Sequence, residues 1–541
     1  MVEDLKSYFG LPSVVARVLL ARGIRTKEEA EKFLFPDLKD LSDPYLLPDM
    51  DLAVKRVVEA ITKNEKIAIY GDYDADGITS CALLVNFFKK LGIDFECYIP
   101  TRMEGYGLNE KAVRKLFARG NRLLITLDCG STNAEEVELA KSLGMDTVII
   151  DHHEVKDEGP PSYAFVNPKR EDSSFPTRDL AACGVTFFFL IALRRELLKM
   201  GKLHFPINLK NELDFVTLGT VGDVVPLTGQ NRLIVKFGFE MMKKKPRQWL
   251  KSFYETKTIP RNRLDDYILT FFIIPRINAP GRVSRPKKSL DFLIEEDPEI
   301  SIRLLEELNE DNRMRQSMEE KILNEINAFT AKVDLYEKKC LVFFKEDWHI
   351  GVLGIVAQRL CEAHAKPAII LTSVDGVIKG SGRAPEKINL FESLKSISHL
   401  LLKYGGHKYA CGLSLTRESL EEFSLAFESI LESISYEKKE IPFDTEANFD
   451  ELSREAVEAL ELLGPFGYGN PPPRILLFPE AIYESGGKVK ILDKKKRIWY
   501  GYMAKPFDSL KEKVRGIIVT PFLKEEMGEV FVNLLIRDFI E

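Results

Sequence analysis

KIAIYGDYDADGITS (residues 66–80) carries an apolar run directly into three aspartates, Asp72, Asp74 and Asp76, and then through Gly77 into a helix-like segment. KIAIY reads as a strand buried on both faces, because its apolar residues are nearly continuous rather than alternating. Three carboxylates within five residues repel one another, and a fold tolerates them at a buried strand end when cations hold them together. Alternating Asp on a loop is a hard-ligand pattern suited to magnesium or manganese. A calcium loop of the EF-hand type needs a Glu about six residues beyond its Gly, and position 83 is Leu. A solvated turn is the competing reading of this motif taken alone.

Working outward, DFECYIP (94–100), RLLITLD (122–128) and DTVIID (146–151) are further short apolar runs, with helix-like stretches near 78–91, 109–119 and 134–143 between them. Alternating strand and helix predict a parallel sheet covered on both faces. Ligands of such sheets sit beyond the carboxyl ends of the strands, where more acidic and histidine residues fall. Asp128 follows the third run, and Asp151, His152 and His153 end the fourth. Asp223 lies among apolar residues in GTVGDVVPL (219–227). A single Asp at a strand end is often only a helix cap, and an isolated His is more often structural than a ligand. An adjacent His pair, in a chain with 7 His in all, points instead to metal chemistry. Together these groups are what a two-metal hydrolytic site requires: cations that activate water and stabilise an in-line displacement at phosphorus.

The 541 residues suggest about three domains. A hydrophobic content of 45% and a charged content of 30% fit a globular chain. No apolar run reaches the length of about 18 residues that a membrane helix needs, and MVEDLKSYFG lacks the basic start of a secretory signal, so a cytoplasmic location is expected. The 7 Cys include no C-x-x-C pair and predict neither a disulfide framework nor a structural zinc site. The net charge of −6 argues mildly against a nucleic-acid partner, unless cations neutralise part of the acidic content.

Residues 297–332 contain apolar positions Leu304, Leu308, Met318, Ile322, Ile326 and Phe329 at near-helical spacing, with one Pro at the start. They predict one long helix joining two lobes. CLVFFK (340–345), a helix at 351–364 and AIILTS (368–373) predict a second α/β unit over about 338–436. Beyond about 440, ILLF, KVKIL, WYGYM, GIIVT and VFVNLLI predict a small barrel or sandwich. There Lys488, Lys490, Lys494, Lys495, Lys496 and Arg497 lie beside Trp499, Tyr500 and Tyr502. These aromatics are candidates for stacking on unpaired bases; a charged hairpin followed by a half-buried strand is the equal alternative.

GDYDADGITS (71–80), LDCG (127–130), DHH (151–153) and GTVGDVVPL (219–227) resemble, in order, the four motifs of the DHH phosphoesterases. The resemblance implies metal ligation by Asp74, Asp76, Asp128, His152 and Asp223, with Asp128 bridging two manganese or magnesium ions. It implies that His153 contacts the phosphate, with Asp72 and Asp151 as catalytic supports or outer ligands. Some relatives carry His at the position of Tyr70, and Tyr is a poor ligand, so one metal is expected to bind more weakly. WHIGVLGIVA (348–357), GSGRAP (380–385) and GGHKYACG (405–412) resemble the DHH-associated domain, implying phosphate contacts from Ser381, Arg383 and His407.

LARGIRTKEEAEKFLFP (20–36), IPTRMEGYGL (99–108), PRINAPGR (275–282) and LLGPFGYGNPPP (462–473) resemble the RecJ-type branch of that family, with Pro280 in place of a small residue. From that resemblance Arg102, Arg276, Asn278 and Arg282 are expected to contact the nucleic acid. The implied architecture is α/β: an N-terminal helical segment (1–45), a parallel-sheet DHH domain (46–290), a connecting helix (291–335), a smaller α/β DHH-associated domain (336–437) and an OB-like β-barrel (438–541). The implied activity is 5′→3′ exonuclease degradation of single-stranded DNA to mononucleotides in repair and recombination. The implied partners are a helicase and single-stranded-DNA-binding protein. A DHH phosphodiesterase for short oligoribonucleotides or cyclic dinucleotides, and a non-catalytic DNA-binding scaffold, are the alternatives.

Overall fold

A computed structural model describes residues 2–155, 159–203, 205–261, 263–331, 335, 338–432, 442–485, 488–503, 514–526 and 528–540. The boundaries expected at 336 and at 437–438 lie outside the described residues. Five parallel strands form the first sheet: β1 (Lys66–Gly71), β2 (Phe95–Tyr98), β3 (Asn121–Leu127), β4 (Asp146–Ile150) and β5 (Ala164–Val166). Their order is β2-β1-β3-β4-β5. The chain reverses its direction of progress between β1 and β3, so a crevice opens at the carboxyl ends of those two strands. The helices Ala75–Leu91 and Ala182–Lys199 are buried along most of their length against one face of the sheet. The other face packs on the helices Glu110–Ala118 and Ala134–Leu143.

One helix, Pro298–Thr330, spans 33 residues, about 50 Å at 1.5 Å per residue. Leu305 and Leu308 sit in the core of the first lobe, whereas Ile322 and Ile326 sit in the core beneath the second sheet. Each end is thus anchored by its own apolar contacts, as the length of the pattern predicted.

The second sheet runs β6 (Leu341–Phe344), β7 (Ala368–Val374), β8 (Val377–Arg383), β10 (Ala410–Leu415) and β9 (Lys403–His407), mostly antiparallel. Helix Leu353–His364 covers one face. In the third sheet the order is β11 (Thr445–Glu446), β12 (Ile475–Leu477), β16 (Gly516–Glu526), β17 (Glu529–Ile540), β15 (Ile498–Met503), β14 (Lys488–Leu492) and β13 (Ala481–Ser485). Among the described residues β11 and β13 are its edges, and no pairing between them closes the expected barrel.

The N-terminal helices do not stand apart. Leu11, Val14, Val15, Val18, Leu19 and Leu34 share a core with Ile475, Val489, Val519 and Ile536 of the third sheet. Polar contacts reinforce the joint. Arg22 pairs with Asp444 at 3.0 Å, and the buried Arg232 donates to the carbonyls of Phe33 (2.7 Å) and Gly464 (2.7 Å).

Candidate metal centre and its cationic wall

Asp74 caps the helix Ala75–Leu91: its Oδ1 accepts from the amides of Asp76 (3.0 Å) and Gly77 (3.2 Å). Gly77 is required at this turn, since a Cβ there would lie 2.6 Å from the Asp72 carbonyl oxygen. Asp76 is buried, and its carboxylate accepts from the first amides of helix Ala182–Lys199, Ala182 at 2.6 Å and Cys183 at 2.8 Å. A helix N-terminus is a natural anchor for negative charge. Asp128 follows β3 with φ 62°, and Val224, the neighbour of Asp223, has φ 60°. Left-handed backbone at non-glycine residues, one of them β-branched, is strain concentrated at the site.

These turns bring the acidic motifs together on His152. Its Nε2 lies 3.4 Å from Asp128, 3.5 Å from Asp223 and 3.8 Å from Asp76. Both ring nitrogens are buried without a hydrogen-bond partner, as are Asp72 Oδ1 and Asp128 Oδ1. Two donor groups stand at ligating separations within 4.8 Å, Asp76–His152–Asp223 and Asp72–Asp74–Asp128, and a third joins Asp128 to both histidines. Asp72 is therefore as well placed as the five residues expected to ligate.

Burial and the Asp74 charge push the Asp72 carboxyl up to about 8 and that of Asp76 to about 6. Burial and neighbouring carboxylates raise Asp128 and Asp223 well above the usual range. Burial together with the neighbouring His153 lowers His152 to about 3. Orphaned nitrogens on a neutral imidazole and mutually repelling carboxylates are a donor set that divalent cations satisfy.

Asp151 has a different role. Its oxygens accept from the amides of Ser131 (3.0 Å) and His152 (2.8 Å), and its Oδ1 is 2.7 Å from His153 Nδ1. Burial alone would lower His153, but the Asp151 carboxylate carries it up to about 9. The other nitrogen of His153, Nε2, is 2.7 Å from the Tyr106 hydroxyl. Tyr106 was not singled out from the sequence; its signal is a lone aromatic between two glycines in IPTRMEGYGL. Tyr70 turns away from the metal donors: its hydroxyl donates to Gly107 O at 2.9 Å, and its ring lies in the core on the far side of β1.

Facing this acidic floor is a wall of guanidinium groups. Arg102 lies 4.5 Å over the Tyr73 ring. Arg282 donates to Gly351 O at 3.1 Å, and Arg383 donates to Ser381 Oγ at 3.1 Å. A Cβ on Gly351 would lie 2.2 Å from Arg282 O, so the two lobes touch backbone to backbone here. Burial, together with the charges of Arg102, Arg315 and Arg383, pushes Arg282 down to about 9. Among the described residues, Arg102, Arg276, Arg282 and Arg383 form no ion pair with a carboxylate. Half-buried cations without carboxylate partners are a receptor for an anion.

Arg276 points elsewhere than the wall. It bonds Asn309 Oδ1 (2.6 Å) and lines a groove of about 440 Å³ with Phe271, Phe272, Arg313, Arg315 and Arg359. None of these five companions was foreseen: Phe271 and Phe272 are near Arg276 in sequence, but Arg313, Arg315 and Arg359 come from other helices. Asn278 Oδ1 is buried without a partner. His407, on the exposed β9–β10 hairpin, helps hold the Glu154 carboxyl below its usual range, after Lys169 and against the cost of burial. That hairpin thus faces the loop following the histidine pair.

On the third sheet, Tyr500 is exposed opposite Lys490, and Tyr502 stands opposite Lys488. Trp499 instead packs 5.4 Å from Phe449 and donates to Asp493 at 3.2 Å, so it is drawn toward the core rather than offered to a strand. Much of the adjacent positive charge is also internal: Arg497 pairs with Asp493 (2.7 Å) and Asp450 (2.5 Å), and Lys495 with Asp450 (2.6 Å).

Residues 66–220 match the DHH family N-terminal domain and residues 337–433 the DHHA1 domain. The chain is 34% identical over 495 residues to the single-stranded-DNA-specific exonuclease RecJ of Bacillus subtilis, covering 90% of this chain and 61% of that protein. It is 32% identical over 482 residues to the protein of the same name in Escherichia coli, covering 86% and 83% of the two. The crystal structure of RecJ from Thermus thermophilus in complex with Mn2+ superposes with a TM-score of 0.85 at 28% identity, covering 100% of this chain and 78% of that one. No helix among the described residues is long and apolar enough to cross a membrane. With a third of its residues shared over most of the Escherichia coli protein's length, and with the two lobes and their crevice superposing on a RecJ structure, the chain belongs to the RecJ family.

Proposed function

We propose that this chain is a metal-dependent exonuclease that degrades single-stranded DNA to mononucleotides from the 5′ end, in repair and recombination. The observation that carries this reading is the convergence of Asp76, Asp128 and Asp223 on the orphaned Nε2 of His152, across a crevice from uncompensated arginines. Asp74, Asp76, Asp128, His152 and Asp223, with Asp72 beside them, would hold two divalent cations, manganese or magnesium, which supply an activated water and Lewis-acid stabilisation of the phosphodiester. The superposed Thermus thermophilus RecJ was crystallised with Mn2+.

The chain's own residues supply the rest. His153, oriented by Asp151 and Tyr106, presents a positively charged imidazole to a developing phosphate charge. Ser381, Arg383, Arg282 and Arg102 form a half-buried receptor for a terminal phosphate, and this sets which end of a strand enters. His407 closes the far rim. The groove at Arg276, Arg313, Arg315 and Arg359 continues the positive surface away from the floor, along the path a strand beyond the scissile bond would follow. The direction of cleavage follows from the family resemblance. In this reading residues 46–290 supply the floor, 291–335 the strut, 336–437 the receptor and 438–541 a further strand surface at Tyr500 and Tyr502. The reading carries with it a cytoplasmic location and work beside a helicase and single-stranded-DNA-binding protein.

A short oligonucleotide or cyclic dinucleotide would engage floor and wall but leave the arginine groove without a role. A scaffold without activity would have no need of a complete ligand set. The test is incubation with manganese and single strands labelled at the 5′ or 3′ end, beside duplex and RNA. Immediate release of the 5′ label as mononucleotide, with duplex spared, supports the proposal. First loss of the 3′ label reverses the polarity, and turnover of dinucleotides alone moves the chain to the small-substrate reading.

A further inference from the structure

Tyr267 and Phe271 are two large aromatics that the protein leaves in the open, 46% and 62% exposed. Their rings stand 4.8 Å apart, with Phe272 6.0 Å from Tyr267 behind them. Phe271 lies in a π-helical turn, Leu269–Ile273, that interrupts an otherwise α-helical path into Arg276. Such a turn inserts an extra residue and is seldom kept without a use, because it weakens the helix around it. Here Leu269 and Ile273 point into the core while Phe271 points out.

The surroundings decide what this pair is suited to. Phe271 forms the rim of the groove lined by Arg276, Arg313, Arg315 and Arg359; Arg315 and Arg359 share the Glu319 carboxylate, while among the described residues Arg276 and Arg313 pair with no carboxylate. On the other side Arg263, which also pairs with Asp265 at 2.6 Å, lies 5.1 Å over the Tyr267 ring. An apolar protein partner would meet a rim dominated by guanidinium groups. An unpaired base has a flat apolar face and a phosphate on either side, matching an aromatic pair flanked by cations. Arg315 links the two places: it lines the groove, and its charge is felt at Arg282 in the wall.

We infer that Tyr267 and Phe271 form a stacking platform for unpaired bases of the strand, downstream of the terminal-phosphate receptor, and that this platform helps the site to prefer single strands over duplex. The inference rests on the proposed nuclease reading for its substrate but concerns binding, so it is tested without hydrolysis. The probe is an oligothymidylate carrying 2-aminopurine at successive positions, mixed with the full chain in EDTA. Stacking on the platform quenches the fluorophore at one or two internal positions in the wild-type protein. Phe271→Ala and Tyr267→Ala remove that quenching and weaken binding about tenfold, whereas Phe271→Trp retains both. Because both side chains are exposed, the thermal midpoint of each variant stays near that of the wild type, which excludes unfolding as the cause.

Unchanged quenching and affinity in both alanine variants overturn the platform, as does a Phe271→Trp protein as weak as Phe271→Ala. An equal loss of duplex binding overturns it too, since paired bases cannot stack on a side chain. Position-specific quenching in a protein that hydrolyses no strand would sink the nuclease reading and leave the platform standing.

Discussion

The floor of the crevice buries negative charge and the wall that faces it half-buries positive charge, and neither is neutralised within itself. On the floor, Asp76, Asp128 and Asp223 crowd a neutral His152, and Asp72 and Asp74 gather on Asp128. On the wall, Arg282 and Arg383 are pushed below their ordinary basicity by burial, and Arg282 also by its neighbours' charge. Had the two surfaces served only stability, the simplest arrangement would pair them, because a buried unpaired charge is costly. Among the described residues they do not pair; each is left to a ligand of the opposite sign. A gap with anions on one side and cations on the other fits a phosphodiester that takes metal ions on one face and guanidinium groups on another.

The sharpest way to break this comparison is to remove the carboxylate that two of the three candidate metal groups share, Asp128. Asp128→Asn is expected to reduce release of labelled nucleotide to background. Manganese should raise the thermal midpoint of the wild-type protein, by a stabilisation of about 2.7 kcal/mol at a hundredfold excess over Kd, and should raise that of the variant much less. In EDTA the sign reverses, since the variant has lost one of several like charges and should be the more stable. A variant that responds to manganese as the wild type does would show that the floor is not a cation site.

A smaller loss, about ten- to a hundredfold in activity, is expected for Asp151→Asn. Asp151 orients His153 and pins the loop through four hydrogen bonds. The loss should fall on kcat; a change confined to KM would place Asp151 among the strand contacts instead. On the wall, Arg383→Ala removes a charge-assisted contact of about 1.5–3 kcal/mol, so KM should rise about ten- to a hundredfold for a 5′-phosphorylated strand. A 5′-hydroxyl strand should be affected far less, and equal losses on both would remove the terminal phosphate from the wall.

The smallest effects separate neighbours on β15. Trp499→Ala should lower stability to denaturant by about 2 kcal/mol, below the range for fully buried rings, because its ring packs on Phe449. Tyr500→Ala should leave stability near the wild-type value and weaken single-strand binding about fivefold. The reverse pattern would put the strand on the opposite face of the sheet.

Local pattern made the floor legible in advance. β1, β3 and β4 lie within a residue or so of where the apolar runs placed them, and the parallel order brings their carboxyl ends to one crevice. The motifs at Asp72, Asp128 and Asp151 are each contiguous with the strand that positions them, so reading the strand also located the candidate ligands, whereas Asp223 ends the helix Leu213–Gly222. The linker helix was readable for the same reason, its apolar spacing being a property of one continuous segment.

What one segment could not carry was decided by tertiary structure. Alternation along Trp499, Tyr500 and Tyr502 says that the tryptophan faces away from the tyrosines; only the packing against Phe449 and Asp493 says which side is core. Arg315, Arg359 and Phe271 reach one groove from three separate elements, and no spacing within any of them signals the others. The N-terminal helices read as a segment of their own, yet they share a core with the third sheet. The amino-acid sequence by itself determined the strands, the linker helix and the acidic residues at the strand ends, because backbone periodicity and the repulsion of neighbouring carboxylates act over a few residues. The cationic wall, the aromatic rim and the faces of the last sheet were decided only by the folded chain, because burial and charge act through space between residues the sequence keeps far apart.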